Sequence, residues 1–150
     1  MNSKAPNLTD LDKDKELVNT VAATRTRQLD EHVHALFGGV VQSGPFAGVK
    51  LHMPAHWYLG MAARLAGTLE AHLHPALEDA LARGLAGVVS VGASDGFFAI
   101  GMLRRRPDLR AILFEMDAPH HETIRINAAA NGAAERIDIR GRADAAAIDA

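Results

Sequence analysis

Four residues, three of them β-branched, run directly into a loop of small residues at Val88-Val89-Ser90-Val91-Gly92-Ala93-Ser94-Asp95-Gly96. From Phe97 to Arg105 the apolar residues then recur at helical spacing. This junction constrains the fold more than any other segment. A short apolar run bounded by glycine reads as a buried strand, and the change of period after the loop reads as a helix. The same alternation follows twice more. A strand is predicted over 111–114, a helix over 119–131 ending at Asn131-Gly132, and a third strand over 136–140. Strand, helix, strand, helix, strand is the order of a parallel sheet with right-handed crossovers, so the expected fold class is α/β.

The loop also carries the chemistry. In open parallel sheets, ligands bind beyond the carboxyl ends of the strands. Gly92 leaves the strand where a Cβ would obstruct a ligand, and Gly96 lets the chain turn into the helix, so the loop is expected to offer backbone N–H donors. A dinucleotide fingerprint needs glycines at the first, third and sixth positions, but counting from Gly92 these fall on Gly92, Ser94 and Phe97. A phosphate-binding loop needs Lys-Ser or Lys-Thr after its glycines, and none is present. What fits is a ligand with a ribose and no pyrophosphate. Glu115, at the end of the second strand, stands about 20 residues beyond the loop, where a βαβ unit places a ribose-binding carboxylate. The plainer alternative is a tight strand-to-helix turn with a solvated acid at a strand end.

Three blocks, Val88 to Ala99, Leu113 to Asp117 and Asn127 to Gly132, resemble class I S-adenosylmethionine-dependent methyltransferases, the FkbM-type group in particular. The upstream stretches 43–48 and 65–73 resemble the lead-in of that group's bacterial members, so the likeness covers roughly residues 43–144. It implies a Rossmann-like sheet, S-adenosylmethionine as cofactor, and methyl transfer to an oxygen of an unidentified acceptor. Gly92, Ala93, Ser94 and Gly96 would wrap the methionine part of the cofactor, and Glu115 would bind its ribose hydroxyls. Asp144 would lie near the adenine, although a surface acid on a loop is the plainer reading. No general base is evident. The group usually carries an acid where this chain has Ser90, so cofactor affinity is expected to be weaker unless Asp95 or Glu70 compensates. The group's sheet also continues with further strands that contact the acceptor. The chain is therefore expected to be truncated, split, paired through an open edge, or a degenerate copy. The rival expectation is a non-catalytic Rossmann-like module acting in cofactor binding or protein assembly.

Upstream, three segments are expected: a helical arm over 1–38, a lead-in over 39–86, and the sheet domain over 87–150. Met1 to Pro6 reads as a disordered start, after which Asn7, Thr9 and Asp10 offer capping oxygens. Leu11, Val18, Val21, Ala22, Leu29, Val33 and Phe37 then form one stripe up to Gly38. A homo-oligomer through this helix or an open sheet edge is weighed against plain packing, which is favoured. A β-hairpin or a strand pair is expected over 40–53, turning at residues 43–48. Helices are expected over 57–65 and from Gly67 to Leu81, with Pro75 near the first turn or breaking the helix from the residues before it. Trp57 and Tyr58 read as an anchor for the lead-in rather than a lid, and Arg104-Arg105-Arg106 as a cluster facing solvent and its own helix end.

Composition narrows the function classes. A net charge of −2 gives no basic field for nucleic acid, and no apolar run is long enough for a membrane span, so a cytoplasmic protein is expected. With no cysteine, disulfides and thiolate metal sites are excluded. The pairs His32/His34, His72/His74 and His120/His121 have the wrong spacing to share a helix face, and Pro54 interrupts His52/His56, so no metal is expected.

Overall fold

The computed structural model of the chain describes residues 8–54 and 60–149. Met1 to Asn7, the segment 55–59 with His56, Trp57 and Tyr58, and the side chains of residues 8–14 lie outside what is described. Three strands, β1 (Val88–Val91), β2 (Ala111–Phe114) and β3 (Ile137–Arg140), form a parallel sheet in the order β1-β2-β3. In register, Val89 stands beside Ile112 and Asp138, and Val91 beside Phe114 and Arg140. The crossovers are α4 (Phe97–Arg105) and α5 (Ala118–Ala130). The fold is the expected α/β class, with β2 in the centre and, among the described residues, β1 and β3 at the two edges.

The two faces of the sheet differ. Ala111 and Leu113 are buried with Ile100, Leu103, Ile124 and Ala128 of the two crossover helices. On the opposite face Val89 and Val91 are 64% and 66% exposed. Phe114 escapes exposure on that face because the Arg140 guanidinium lies 5.8 Å above its ring centre. The same guanidinium donates to the carbonyl of Ala147 in α6 (Ala145–Asp149).

The lead-in shares the sheet's core. Val41, Phe46, Val49, Leu51, Met61 and Leu65 are buried in one cluster with Phe97, Ile100 and Leu113. Phe46 meets the rings of Phe97 and Phe98 edge-on at 5.4 and 6.0 Å, and its ring lies over Gly101, where any Cβ would overlap it. Helix propensity alone would favour alanine there by about 0.8–1.0 kcal/mol, but overpacking a core costs about 1–3 kcal/mol. Gly101→Ala is therefore expected to destabilise the chain, whereas Gly84→Ala, with open space around it, is not. Thermal denaturation of the pair decides, and a stabilised Gly101→Ala would rule out this close contact.

Several expected elements take another form. In place of a hairpin, a single antiparallel bridge joins Val40 and Lys50, and turn hydrogen bonds such as Val41 N to Val49 O close the loop. Helix α2 (Met61–Ala66) ends at Gly67. The helix expected from Gly67 starts late, because Glu70 takes a left-handed φ of 48°. A 3₁₀ turn over Ala71–Leu73 follows, then α3 (His74–Ala82) with Pro75 in its first turn. Helix α1 (Leu8–Phe37) forms as expected, yet its stripe is not buried throughout. Val33 and Phe37 pack on the core while Val18, Val21 and Leu29 are exposed, since α1 runs past the body of the domain. Arg104 and Arg105 are exposed as expected, and Arg105 and Arg106 also clamp neighbouring segments. Arg105 pairs both guanidinium nitrogens with Glu78 of α3 and reaches the Pro45 carbonyl, and Arg106 holds Asp108 and the carbonyls of Leu81 and Arg83.

Candidate functional site

The glycine loop sits beyond the carboxyl end of β1. Gly92 adopts φ 71°, and a Cβ there would meet nothing within 4 Å, so the loop is open on this side. Gly96, at φ 79°, is closed in: a Cβ would fall 2.9 Å from Ile100 Cδ1 and 3.4 Å from Ile124 Cγ2. Between them Ser94 takes a left-handed φ of 53°, an uncommon conformation for a side-chain-bearing residue.

Four of the loop's N–H groups are engaged within the fold, which corrects the expectation that they point at a ligand. Gly92 and Ala93 both donate to the Phe114 carbonyl at 2.9 and 3.0 Å, Gly96 donates to Ala93, and Ser94 donates to Glu115 Oε2 at 2.8 Å. A parallel sheet supplies unpaired carbonyls where its ladder ends, and the loop folds back to satisfy them. At these four amides the loop turns into the fold and not toward a ligand.

Glu115 stands at the end of β2 with both carboxylate oxygens in use, Oε2 by Ser94 N and Oε1 by Asp117 N at 2.9 Å. Burial would raise its pKa, but the N–H groups of Asp117 and Ser94 and the neighbouring His120 and His121 outweigh that, so the carboxyl lies below its usual range. It is ionised at neutral pH. A carboxylate offers about four acceptor positions, so about two remain for hydroxyl donors.

Glu115 lines a cavity of about 270 Å³ with Val91, Gly92, Phe114, Met116 and residues 141–143. Met116, 80% exposed, gives it an apolar rim that sequence reading missed, although an apolar residue directly after a strand-end acid was its signal. A larger hollow of about 550 Å³ is lined by Val88, Val89, Ala111, Ile112 and Ile137. That hollow lies at the amino ends of the strands, opposite to where open α/β sheets take ligands.

The remaining expected residues have other employment. Asp95 is 1% exposed, its Oδ1 accepts from Phe97 N at 3.1 Å, and its Oδ2 lies 3.0 Å from Arg64 Nε. The Arg64 contact is held by charge rather than by an aligned hydrogen bond. Asp95 therefore joins the start of α4 to Arg64 of α2. Glu70 is exposed in the turn after α2 and lines no part of the cavity. Asp144 Oδ1 accepts from Ala147 N at 2.9 Å, which makes it the N-cap of α6 and not a cavity residue. Ser90 is half-buried on the helix-covered face of β1. Among the described residues no group of three or more His, Asp or Glu could hold a metal ion, and no helix is long and apolar enough to cross a membrane.

No family model matches the chain, and no curated protein matches it. Among solved structures, the chain is similar to the mitomycin 7-O-methyltransferase MmcR, with 28% identity, 55% of this chain and 24% of that one covered, and a TM-score of 0.41. It is similar to a SAM-dependent methyltransferase from Geobacter sulfurreducens in complex with S-adenosyl-L-homocysteine, with 14% identity, 48% and 28% covered, and a TM-score of 0.41. An O-methyltransferase family protein from Burkholderia thailandensis matches with 15% identity, 51% and 24% covered, and a TM-score of 0.39. The chain spans 24% to 28% of the length of these three.

Proposed function

We propose that the chain is the cofactor-binding part of an S-adenosylmethionine-dependent methyltransferase acting on an oxygen of an unidentified acceptor. The observation that carries the reading is the ionised Glu115, exposed to a cavity at the carboxyl ends of the strands with acceptor positions to spare. The FkbM-like blocks around Gly92, Glu115 and Asn127 support the choice of cofactor and of oxygen.

The residues present suit one end of such a cofactor. Small-molecule sites occupy about 300–1,000 Å³, so a cavity just below that range takes a nucleoside-sized portion and leaves the rest along Gly92. Glu115 would accept from the two ribose hydroxyls, and Val91, Phe114 and Met116 would form apolar walls for the base. When bound, the cofactor supplies a sulfonium-activated methyl group. The chain's part is to hold the donor's orientation through a loop that commits four of its N–H groups to the fold, since orientation supplies much of the acceleration in such a transfer. Ser90 brings no charge to the cofactor's ammonium group, which predicts weak binding.

Calorimetric titration with S-adenosylhomocysteine is the direct test. Saturable binding is expected, and Ser90→Asp is expected to tighten it about fivefold or more. No heat at millimolar ligand overturns the reading for this chain.

A further inference from the structure

Two amide side chains of α5 stand in for a neighbouring strand. Asn131 Oδ1 accepts from Lys50 N at 2.9 Å, and its Nδ2 donates to Lys50 O and to Asn127 O, each at 2.7 Å. One turn earlier, Asn127 Oδ1 accepts from His52 N at 2.7 Å. Four residues of a helix rise about 6 Å, and two residues of an extended chain rise about 6.6 Å. The two steps match, so alternate residues of the lead-in meet successive turns of α5.

The other half of the Asn127 amide goes elsewhere. Its Nδ2 donates to the Asp95 carbonyl at 2.9 Å, inside the glycine loop. Asn127 is 0% exposed and its bond to the Asp95 carbonyl is buried, where an unpaired partner is costly. The amide presents an acceptor to His52 N and a donor to Asp95 O at once. The loop has need of such a tie, because Ser94 holds a left-handed φ that a serine does not favour by itself.

We propose that Asn127 is a positioning residue of the glycine loop. It fixes the Asp95 carbonyl and with it the turn at Ser94 that aims Gly92 at the cavity. Asn131, one turn away, docks the lead-in alone. Only the ligand named in the test rests on the proposed function.

The test compares Asn127→Asp with Asn131→Asp in the full chain. Each sets a carboxylate against a backbone carbonyl, and only the first does so at the loop. Both are expected to lower the thermal midpoint. Asn127→Asp is further expected to weaken S-adenosylhomocysteine binding about tenfold and to speed hydrogen exchange at the Ser94 and Phe97 amides about tenfold, while Asn131→Asp changes either by about twofold at most. Equal effects from both variants, or unchanged loop exchange in Asn127→Asp, would overturn the assignment. Asn127→Ser removes both bonds without adding charge and reads the same contrast if Asn127→Asp does not fold. Should the unsubstituted chain bind no S-adenosylhomocysteine, the proposed function fails, and the exchange comparison still decides the role of Asn127.

Discussion

Asp95→Ala is expected to lower the unfolding free energy by about 3–5 kcal/mol, the range for removing one member of a buried ion pair. Two losses combine. The Arg64 side chain, 11% exposed, keeps its charge and loses the Asp95 carboxylate, and Phe97 N loses the acceptor that starts α4. Asp95→Asn keeps an acceptor for Phe97 N and should cost less. Arg64→Met in the Asp95→Ala background should recover part of the loss, because it removes the stranded charge. Urea denaturation of the four chains measures this directly. A loss under about 1 kcal/mol, ordinary for a surface site, would show that Asp95 does not tie α2 to the loop.

Glu115→Ala is expected to have the largest effect on ligand binding. Two hydroxyl bonds to a carboxylate are worth about 1.5–3 kcal/mol each, so the dissociation constant of S-adenosylhomocysteine should rise about 100-fold or more. The substitution also frees Ser94 N and Asp117 N, so stability falls with affinity. Glu115→Gln separates the charge from the shape. Because the folded carboxyl is held below the usual 4.5, its contribution to stability is fully present above that value and is lost as pH falls through the lowered pKa. The stability gap between the unsubstituted chain and Glu115→Gln should therefore narrow on acidification from pH 7. A gap that stays constant with pH would mean that the charge of Glu115 contributes nothing to the fold.

The half of the fold after Gly87 was legible in the sequence because its signals are local. Val88 to Val91 ends in glycine, Ala111 to Phe114 is a compact apolar run, and Asn131-Gly132 closes α5. The lead-in was less legible because its ties run from side chain to distant backbone. Lys50 meets Asn131, His52 meets Asn127, and Ala62 N meets Asp30, contacts that no periodicity within a segment announces. Glu70 reads as an ordinary helical residue until its left-handed backbone delays α3. At the site, Gly92 and Glu115 were legible from their spacing. The use of Asp144 as a cap and of Asp95 as a tie to Arg64 was not, since an aspartate at a loop–helix junction reads equally as a ligand or a structural acceptor.

The match between the α5 turn and the lead-in's two-residue step makes the segments a lock and its key in evolutionary terms. A single insertion between Lys50 and His52 would turn one of them to the wrong side, and one inside α5 between Asn127 and Asn131 would rotate one amide by about 100°. Length changes should therefore accumulate in the turn at 43–48 or between α5 and β3, and not within these two stretches. For chimeras, residues 50–52 and 127–131 form one heritable unit, to be exchanged together although 75 to 81 positions separate their partners.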